Sequence, residues 1–294
     1  KHKSFGGFPF RTFSKLYDST VWSTISYGAA VWGDKNFSCV NAVQNKAIRF
    51  FMGVGRYTPN TAIIGDSGWI PANIKQWNSV SNQWCRLKNM DRNRLNYKIF
   101  KWSEVCSLNG RKCKNWNYRI RQQFVSADMM ILYNTENVDK ALVKNVLYDK
   151  LLSQLYDEWS NNLNKTVSQR NGNGGNKLRT YRTFKTSLHT EEYMHKVIVP
   201  SHRRAYAQFR CGVAPIRLET GRFERLPVQQ RTCETCKNIV ETEEHVLLEC
   251  PLYDDLRNKL SKIILSEHSN FLNFSNLDKL SIVLASNCDS IIIY

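Results

Sequence analysis

Two kinds of segment that direct a chain into or across a membrane are missing from these 294 residues. No apolar run approaches the roughly 18 residues that a membrane-spanning helix needs, and no charged stretch followed by an apolar one stands at the amino terminus. The hydrophobic content of 42% and the charged content of 23% are close to globular averages, which excludes wholesale disorder. We therefore expect a soluble or peripheral protein with no membrane partner, folded as one large domain or two to three small ones.

Common catalytic motifs are also missing. The sequence contains no His-Glu-x-x-His, nucleophile elbow or carboxylate triad. The glycine-bearing run 53–60 lacks the Gly-Lys-(Ser/Thr) ending of a phosphate loop and the third glycine of a dinucleotide fingerprint, so we interpret it as a loop that ends a helix. Asp254 and Asp255 could form the metal-binding pair of a nuclease, but no third acid or base accompanies them, and two acids also suit a helix amino terminus.

Cysteine is too sparse for a disulfide-stapled scaffold. Nine cysteines occur in 294 residues, and six of them fall outside the motif described below. We expect those six to be reduced and mostly buried thiols in an intracellular protein.

Basic residues, in contrast, are in large excess, and the formal net charge is +17. Residues 1–125 carry a net charge of +15 and residues 177–232 carry +8, whereas residues 126–176 carry −1 and residues 233–294 carry −5. Two basic blocks separated by a near-neutral one indicate a polyanionic partner, and RNA and DNA are the obvious candidates. A generally basic soluble protein is the alternative.

Four potential metal ligands occur at close spacing near the carboxyl end. Cys233, Cys236, His245 and Cys250 give the pattern C-x2-C-x8-H-x4-C. Structural zinc takes four thiolate or imidazole ligands in a closed tetrahedron, and two cysteines two residues apart can chelate one ion from a tight turn. The pattern predicts a small CCHC zinc knuckle holding one structural Zn²⁺, with four unrelated residues as the alternative.

This motif and two other segments resemble one protein family. Cys233-Glu-Thr-Cys and Glu241-Thr-Glu-Glu-His-Val-Leu-Leu-Glu-Cys-Pro-Leu-Tyr are similar to the carboxy-terminal cysteine–histidine motif of non-LTR (LINE-type) retrotransposon reverse transcriptases. Residues 16–33 resemble the segment that follows the catalytic core in that family, and residues 44–54 resemble the helix after it. The polymerase signature, an aromatic residue followed by Ala-Asp-Asp, occurs nowhere, and the chain begins without Met. We interpret the chain as the part of such a protein downstream of its catalytic palm.

Helical spacing, the charge blocks and a Gly/Asn-rich run predict the fold and its organisation, and the resemblance implies the thumb-like character and the role. We expect a mainly α chain with a basic helical, thumb-like region at 1–125, a helix and a Gly/Asn-rich linker at 126–176, a basic helical segment with the zinc knuckle at 177–262, and a helical tail at 263–294. The implied role is to grip template RNA or target DNA during target-primed reverse transcription, beside an upstream polymerase domain of the same polyprotein, in the nucleus and cytoplasm. Without the catalytic aspartates the chain should be inactive alone.

Helical periodicity selects candidate contacts to nucleic acid. One predicted helix has Val40, Val43, Ala47 and Phe51 on its apolar face, and another, capped by Ser201 and ended by Gly212, carries arginines on one side. Guanidinium groups suit forked phosphate contacts, although a solvated basic face is the alternative. The candidate contacts on these helices are Lys46, Arg49, Arg203, Arg204 and Arg210, and Arg217 and Arg222 in the loop that leads to the knuckle complete the set.

Other interpretations concern core helices and an open question. Pro71 opens a predicted helix with a buried stripe that includes Trp77 and Trp84, and the clearest helix spans residues 137–163. The basic, aromatic-rich stretch 86–121 fits a solvated face and a nucleic-acid track equally well. For the whole chain, the alternative function is a zinc-stapled helical module that binds a protein and has no nucleic-acid role.

Overall fold

The structure, a computed structural model, describes residues 7–108, 114–165, 177–288 and 290–291. These residues are mainly helical, and the only strand-like feature among them is an isolated antiparallel bridge between Thr232 and Val240. The predicted mainly α fold is confirmed. The predicted Gly/Asn-rich linker at 171–176 lies outside the described residues, as do Arg111 and Lys112 of the basic stretch.

The chain divides into two compact units. Unit 1 comprises Lys1–Lys15, Asn45–Trp69 and Trp159–Tyr294, and unit 2 comprises Leu16–Gln44 and Ile70–Glu158. Each unit is therefore assembled from segments that are distant in sequence. The division into four consecutive segments, with the roles assigned to them, stays a prediction.

Unit 2 packs its helices around aromatic side chains. Pro71 precedes the helix Ala72–Lys88, and the predicted apolar stripe of that helix is buried around Trp84. The Trp84 ring centroid lies 4.7 Å from that of Phe124 and 5.5 Å from that of Tyr133. The helical segments of unit 2 are Tyr17–Trp22, a π-helix, then Ser23–Ile25, Ala29–Trp32, Ala72–Lys88, Leu95–Leu108, Trp116–Ser126 and Met130–Asn134, with the first parts of Ser38–Met52 and Lys140–Asn164.

Unit 1 contains the remaining helices and a separate hydrophobic core. Ile48, Met52, Ile63 and Tyr181 are among its fully buried side chains. The helices of unit 1 are Phe10–Leu16, Asn60–Ser67, Tyr181–Phe184, Glu192–Lys196, Pro200–Arg210, Arg217–Thr220, Asp254–Glu267 and Asn276–Ala285, with the ends of Ser38–Met52 and Lys140–Asn164 and the short turns Val228–Gln230, His245–Glu249, Pro251–Tyr253 and Phe271–Asn273.

Two details of the predicted helices differ from the structure. The helix Pro200–Arg210 begins with proline at its first position and follows Val199, so Ser201 is not its cap. Proline suits this position because its ring fixes a helical φ and its missing N–H would be unpaired there. In the helix Ser38–Met52, Val43 is 40% exposed whereas Gln44 and Ile48 are buried, so the buried face is rotated from the predicted one.

Candidate metal centre and its arginine neighbours

The four predicted metal ligands converge in unit 1. One potential ligand atom from each of Cys233, Cys236, His245 and Cys250 lies within 4.8 Å of the other three. The Cys250 sulfur is 3.8 Å from that of Cys233 and 4.0 Å from that of Cys236. Zinc–sulfur bonds of about 2.3 Å in a tetrahedron hold two sulfurs about 3.8 Å apart, so these separations suit a shared ion.

A tight backbone loop presents the first two cysteines. The N–H of Cys233 donates to the Ile239 carbonyl at 2.8 Å, and the N–H of Lys237 donates back to the Cys233 carbonyl at 2.8 Å. Lys237 has a φ of 54°, a left-handed conformation that lets the chain reverse directly after Cys236. The loop therefore directs both sulfurs to one side.

A single helical turn presents the other two ligands. His245 begins the π-helical turn His245–Glu249, its N–H donates to the Thr242 hydroxyl at 3.1 Å, and Cys250 ends the turn by donating its N–H to the His245 carbonyl at 2.7 Å. The imidazole and the Cys250 sulfur are thus fixed by local hydrogen bonds.

The surroundings of His245 fit a bound metal. Its side chain is 2% exposed, and neither ring nitrogen has a hydrogen-bond partner among the described residues. A buried polar atom without a partner is costly, and coordination would satisfy it. The Glu249 carboxylate lies 3.5 Å from Nδ1, where it can orient a metal-binding imidazole.

The thiols themselves also favour a cation. Burial opposes ionisation of the Cys233 thiol, yet the backbone N–H of Cys236 and the His245 ring lower its pKa to about 7. Burial and the neighbouring Cys250 and Cys233 sulfurs raise the pKa of Cys236 to about 11. One thiolate thus hinders formation of the next, and a bound cation would remove this conflict because it stabilises all of them together.

Arginine–glutamate pairs tie the loop to the segment before it. Arg179 donates to the fully buried Glu243 carboxylate at 3.1 Å and to Glu219 at 2.9 Å, and Arg222 pairs with Glu219 at 3.0 Å. Arg231, also fully buried, donates to the backbone carbonyls of residues 218 and 226. This network was not predicted, although Glu241, Glu243 and Glu244 stand close together inside the motif.

Arg203 does not take the predicted place on a cationic surface. Its side chain is 4% exposed, its Nε donates to the Phe51 carbonyl at 2.9 Å, and its Nη1 donates to the Val197 carbonyl at 2.8 Å. The prediction that Arg203 contacts nucleic acid is wrong, because a phosphate cannot reach a guanidinium enclosed by protein.

The same correction applies to Arg210, which is fully buried. Its Nε and Nη2 donate to the two Asp66 carboxylate oxygens at 3.0 and 2.8 Å, and Glu191 lies 2.9 Å from Nη2. Sequence analysis missed Asp66. A lone acid in the apolar run 62–70 was the available signal, because such an acid needs a cationic partner when it is buried.

The other predicted contacts stay near the surface. Lys46 and Arg204 are exposed and form no ion pair with other described residues. The remaining three are half-buried and have protein partners: Arg49 donates to the Thr58 carbonyl at 2.8 Å, Arg217 pairs with Glu224 at 2.7 Å, and Arg222 pairs with Glu219. Lys46 and Arg204 are therefore the members of the predicted set best placed to contact phosphate.

The two adjacent acids considered for catalysis lie at the start of the helix Asp254–Glu267. Asp254 pairs with Arg257 at 3.1 Å, one helical turn along. The structure thus places them where their charges stabilise a helix end.

Comparisons of the chain with protein family models, with curated proteins and with solved structures gave no match. Among the residues that the structure describes, no helix is long and apolar enough to cross a membrane.

Proposed function

We propose that this chain is the nucleic-acid-binding carboxy-terminal part of a LINE-type retrotransposon reverse transcriptase, which holds template RNA or target DNA during target-primed reverse transcription. The observation that carries the proposal is the convergence of Cys233, Cys236, His245 and Cys250, since these residues also carry the resemblance to that family. The net charge of +17 supports a polyanionic partner.

In this proposal the four residues hold a structural Zn²⁺ as a CCHC knuckle. Four protein ligands close the coordination shell, so the ion serves to fix the loop 233–250 and not to activate water. Arg179 and Glu243 then transmit that rigidity to the basic segment before the knuckle.

The mechanism is binding and positioning. Exposed basic side chains such as Lys46 and Arg204 displace counterions from phosphates, which favours association in low salt. The chain lacks the polymerase aspartates, so copying would depend on an upstream polymerase domain of the same polyprotein.

The metal part of the proposal is tested by zinc content. We expect about one zinc ion per purified chain by elemental analysis, and loss of that zinc in Cys233→Ser and in Cys250→Ser. Cys39→Ser is the matched control, because Cys39 is exposed and is not part of the cluster. If zinc-free wild-type protein has the same melting temperature before and after zinc is added, the knuckle is contradicted.

The binding part is tested by affinity for RNA and DNA as a function of salt. We expect the logarithm of the association constant to fall linearly with the logarithm of salt concentration, with a slope that reports several phosphate contacts. Lys46→Ala should reduce the magnitude of this slope by about one, the value expected for the loss of one phosphate contact. A zinc-stapled protein-interaction module, the alternative, would bind neither polynucleotide appreciably even in dilute buffer.

A further inference from the structure

A cavity of about 420 Å³ lies on unit 1, beside the loop that follows the helix Ser38–Met52. Gly53 has a φ of 70°, and a Cβ built there would lie 2.9 Å from the Cβ of Arg204, so glycine lets the loop pass close under that side chain. The residues that line the cavity include Tyr57, Lys177, Arg204, Gln208 and Phe223. It is separate from the four metal ligands.

Two exposed aromatic rings face each other at this cavity. Tyr57 is 59% exposed and Phe223 is 76% exposed, and their ring centroids are 6.4 Å apart with an interplanar angle of 59°. Large apolar side chains exposed together mark binding surfaces more often than they stabilise a fold. A planar group inserted between two parallel rings needs about 7 Å, twice the ~3.4 Å spacing of stacked bases, so the two exposed side chains would have to rotate out of their 59° tilt and move slightly apart to admit one base.

Three cations that form no ion pair with a described residue, Arg56, Lys177 and Arg204, surround the same rings. The Arg56 guanidinium lies 4.6 Å from the centroid of the Tyr57 ring, and Lys177 Nζ lies 6.0 Å from it while donating to the Tyr57 carbonyl at 3.1 Å. A phosphate would therefore meet several positive charges here.

Glu219, the acid among the cavity-lining residues, does not neutralise these cations. Glu219 is buried and is already paired with Arg179 at 2.9 Å and with Arg222 at 3.0 Å. Partial burial lowers the pKa of Lys177, against the opposing effect of the Glu219 carboxylate. A bound anion beside Lys177 would thus stabilise the charged form of this partly buried lysine.

We propose that this cavity holds one unpaired nucleotide of a single-stranded nucleic acid, with its base against Tyr57 and Phe223 and its phosphate against Arg204 and Lys177. Aromatic stacking combined with basic contacts is how proteins bind single strands without reading sequence. A duplex keeps its bases stacked inside and cannot insert one. A free nucleoside triphosphate is disfavoured because the glycine loop 53–60 lacks the Gly-Lys-(Ser/Thr) ending of a phosphate loop.

This inference rests on the proposed nucleic-acid function and names the strand form that the chain holds. The test measures the affinity of the whole chain for a 15-nucleotide oligouridine, a 15-nucleotide oligothymidine and a blunt DNA duplex. For the double variant Tyr57→Ala, Phe223→Ala we expect about tenfold or greater loss of single-strand affinity and no more than a twofold change for the duplex. Tyr57→Phe should retain wild-type affinity because it keeps the ring.

Matched controls separate stacking from general effects. Tyr27→Ala removes an exposed tyrosine that does not line the cavity, and we expect no change in affinity. Arg204→Ala should lower the salt slope for single strands by about one, whereas Arg11→Ala, at an exposed position outside the cavity, should not.

A tryptophan at position 57 reports the contact directly. We expect oligouridine to quench the additional fluorescence of Tyr57→Trp, measured against the wild-type protein with its eight tryptophans, and uridine monophosphate at equal nucleotide concentration to quench it far less. Equal quenching by the mononucleotide would overturn a strand site.

The outcomes distinguish this inference from the proposed function. Wild-type protein that binds single strands with the same affinity as the double variant, or that binds only the duplex, overturns the cavity site and leaves the nucleic-acid function standing. Wild-type protein that binds none of the three probes in dilute buffer overturns both.

Discussion

At the scale of single residues, the buried pair of Asp66 and Arg210 has the largest consequences. Both side chains are fully buried, and Tyr181 and Tyr193 donate their hydroxyls to the two Asp66 oxygens at 2.9 and 2.8 Å. Every charge in this group has a partner, since Lys185 pairs with Glu191, which also contacts Arg210. Such a network tolerates the loss of one charge poorly, because the charge left behind has no water to replace its partner.

We therefore expect Asp66→Asn and Arg210→Met each to lower the free energy of unfolding by about 3–5 kcal/mol. Asp149→Asn, at an exposed position on the helix Lys140–Asn164, should change it by less than about 0.5 kcal/mol. Urea unfolding at pH 7 measures both values. Equal small effects at the buried and exposed aspartates would show that the pair contributes little.

The same pair should make stability depend on pH. Burial alone would raise the pKa of Asp66, but the charge and hydrogen bonds of Arg210 lower it below its usual value. A carboxyl group whose pKa is lower in the folded state stabilises the fold at pH values above its unfolded pKa of about 3.9. That stabilisation is lost as the pH falls through the folded pKa. The difference in unfolding free energy between wild type and Asp66→Asn should thus be full at pH 7 and shrink below pH 4.

At the scale of elements, one glycine decides how the helix Pro200–Arg210 ends. Gly212 has a φ of 63°, and a Cβ built there would lie 1.8 Å from the Lys177 carbonyl oxygen. A side chain at this position would strain the left-handed backbone and push against fixed backbone, so neither effect can be relieved by a rotamer change.

Gly212→Ala should accordingly lower the free energy of unfolding by about 2 kcal/mol or more. Gly55→Ala is the matched control: it has no positive φ and nothing within 4 Å of a built Cβ, so we expect a change of less than about 1 kcal/mol in either direction. Thermal and urea unfolding of the two variants decide the comparison. A Gly212→Ala protein as stable as the control would mean that the helix end adjusts freely.

The elements also show what can be predicted from sequence. The core face of the helix Ala72–Lys88 is predictable because that face is aromatic and aliphatic, and burial of such side chains does not require a compensating charge from a distant residue. The metal ligands were predicted as a set because short spacings hold them on one loop and one turn. For both, the information is local.

Where burial depends on distant residues, the predictions from sequence are wrong. Arg203 and Arg210 lie on one face of their helix, and periodicity alone favours solvent for such a face. Arg210 is buried because Asp66, 144 positions before it, supplies the compensating charge, and Arg203 is buried because distant backbone carbonyls, such as that of Phe51, accept its hydrogen bonds. Tyr57 and Phe223 are also far apart along the chain, so no local pattern could have predicted the cavity that they line.

At the scale of the whole molecule, the metal ligands all belong to unit 1, and each unit has its own hydrophobic core. A small core of Ala214, Ile216, Leu218 and Val246 lies next to the ligand loop. The loop 233–250 holds three sulfurs close together, and the neighbouring sulfurs raise the pKa of Cys236, so without a cation to stabilise its thiolate the local free energy of opening should be low.

Zinc removal should consequently loosen one part of the molecule and leave another unchanged. Hydrogen exchange measured with and without a chelator should show amide protection falling by about tenfold or more across residues 216–250, because those amides would exchange by local opening of the loop and its small core. The helix Ala72–Lys88 of unit 2 should keep its protection, which makes it the internal control.

Cys233→Ser without chelator should reproduce the exchange pattern of the chelator-treated wild type, and Cys39→Ser should not. Uniform loss of protection in both units would mean that the metal supports global stability, whereas no loss in residues 216–250 would mean that the four ligands hold no structural ion.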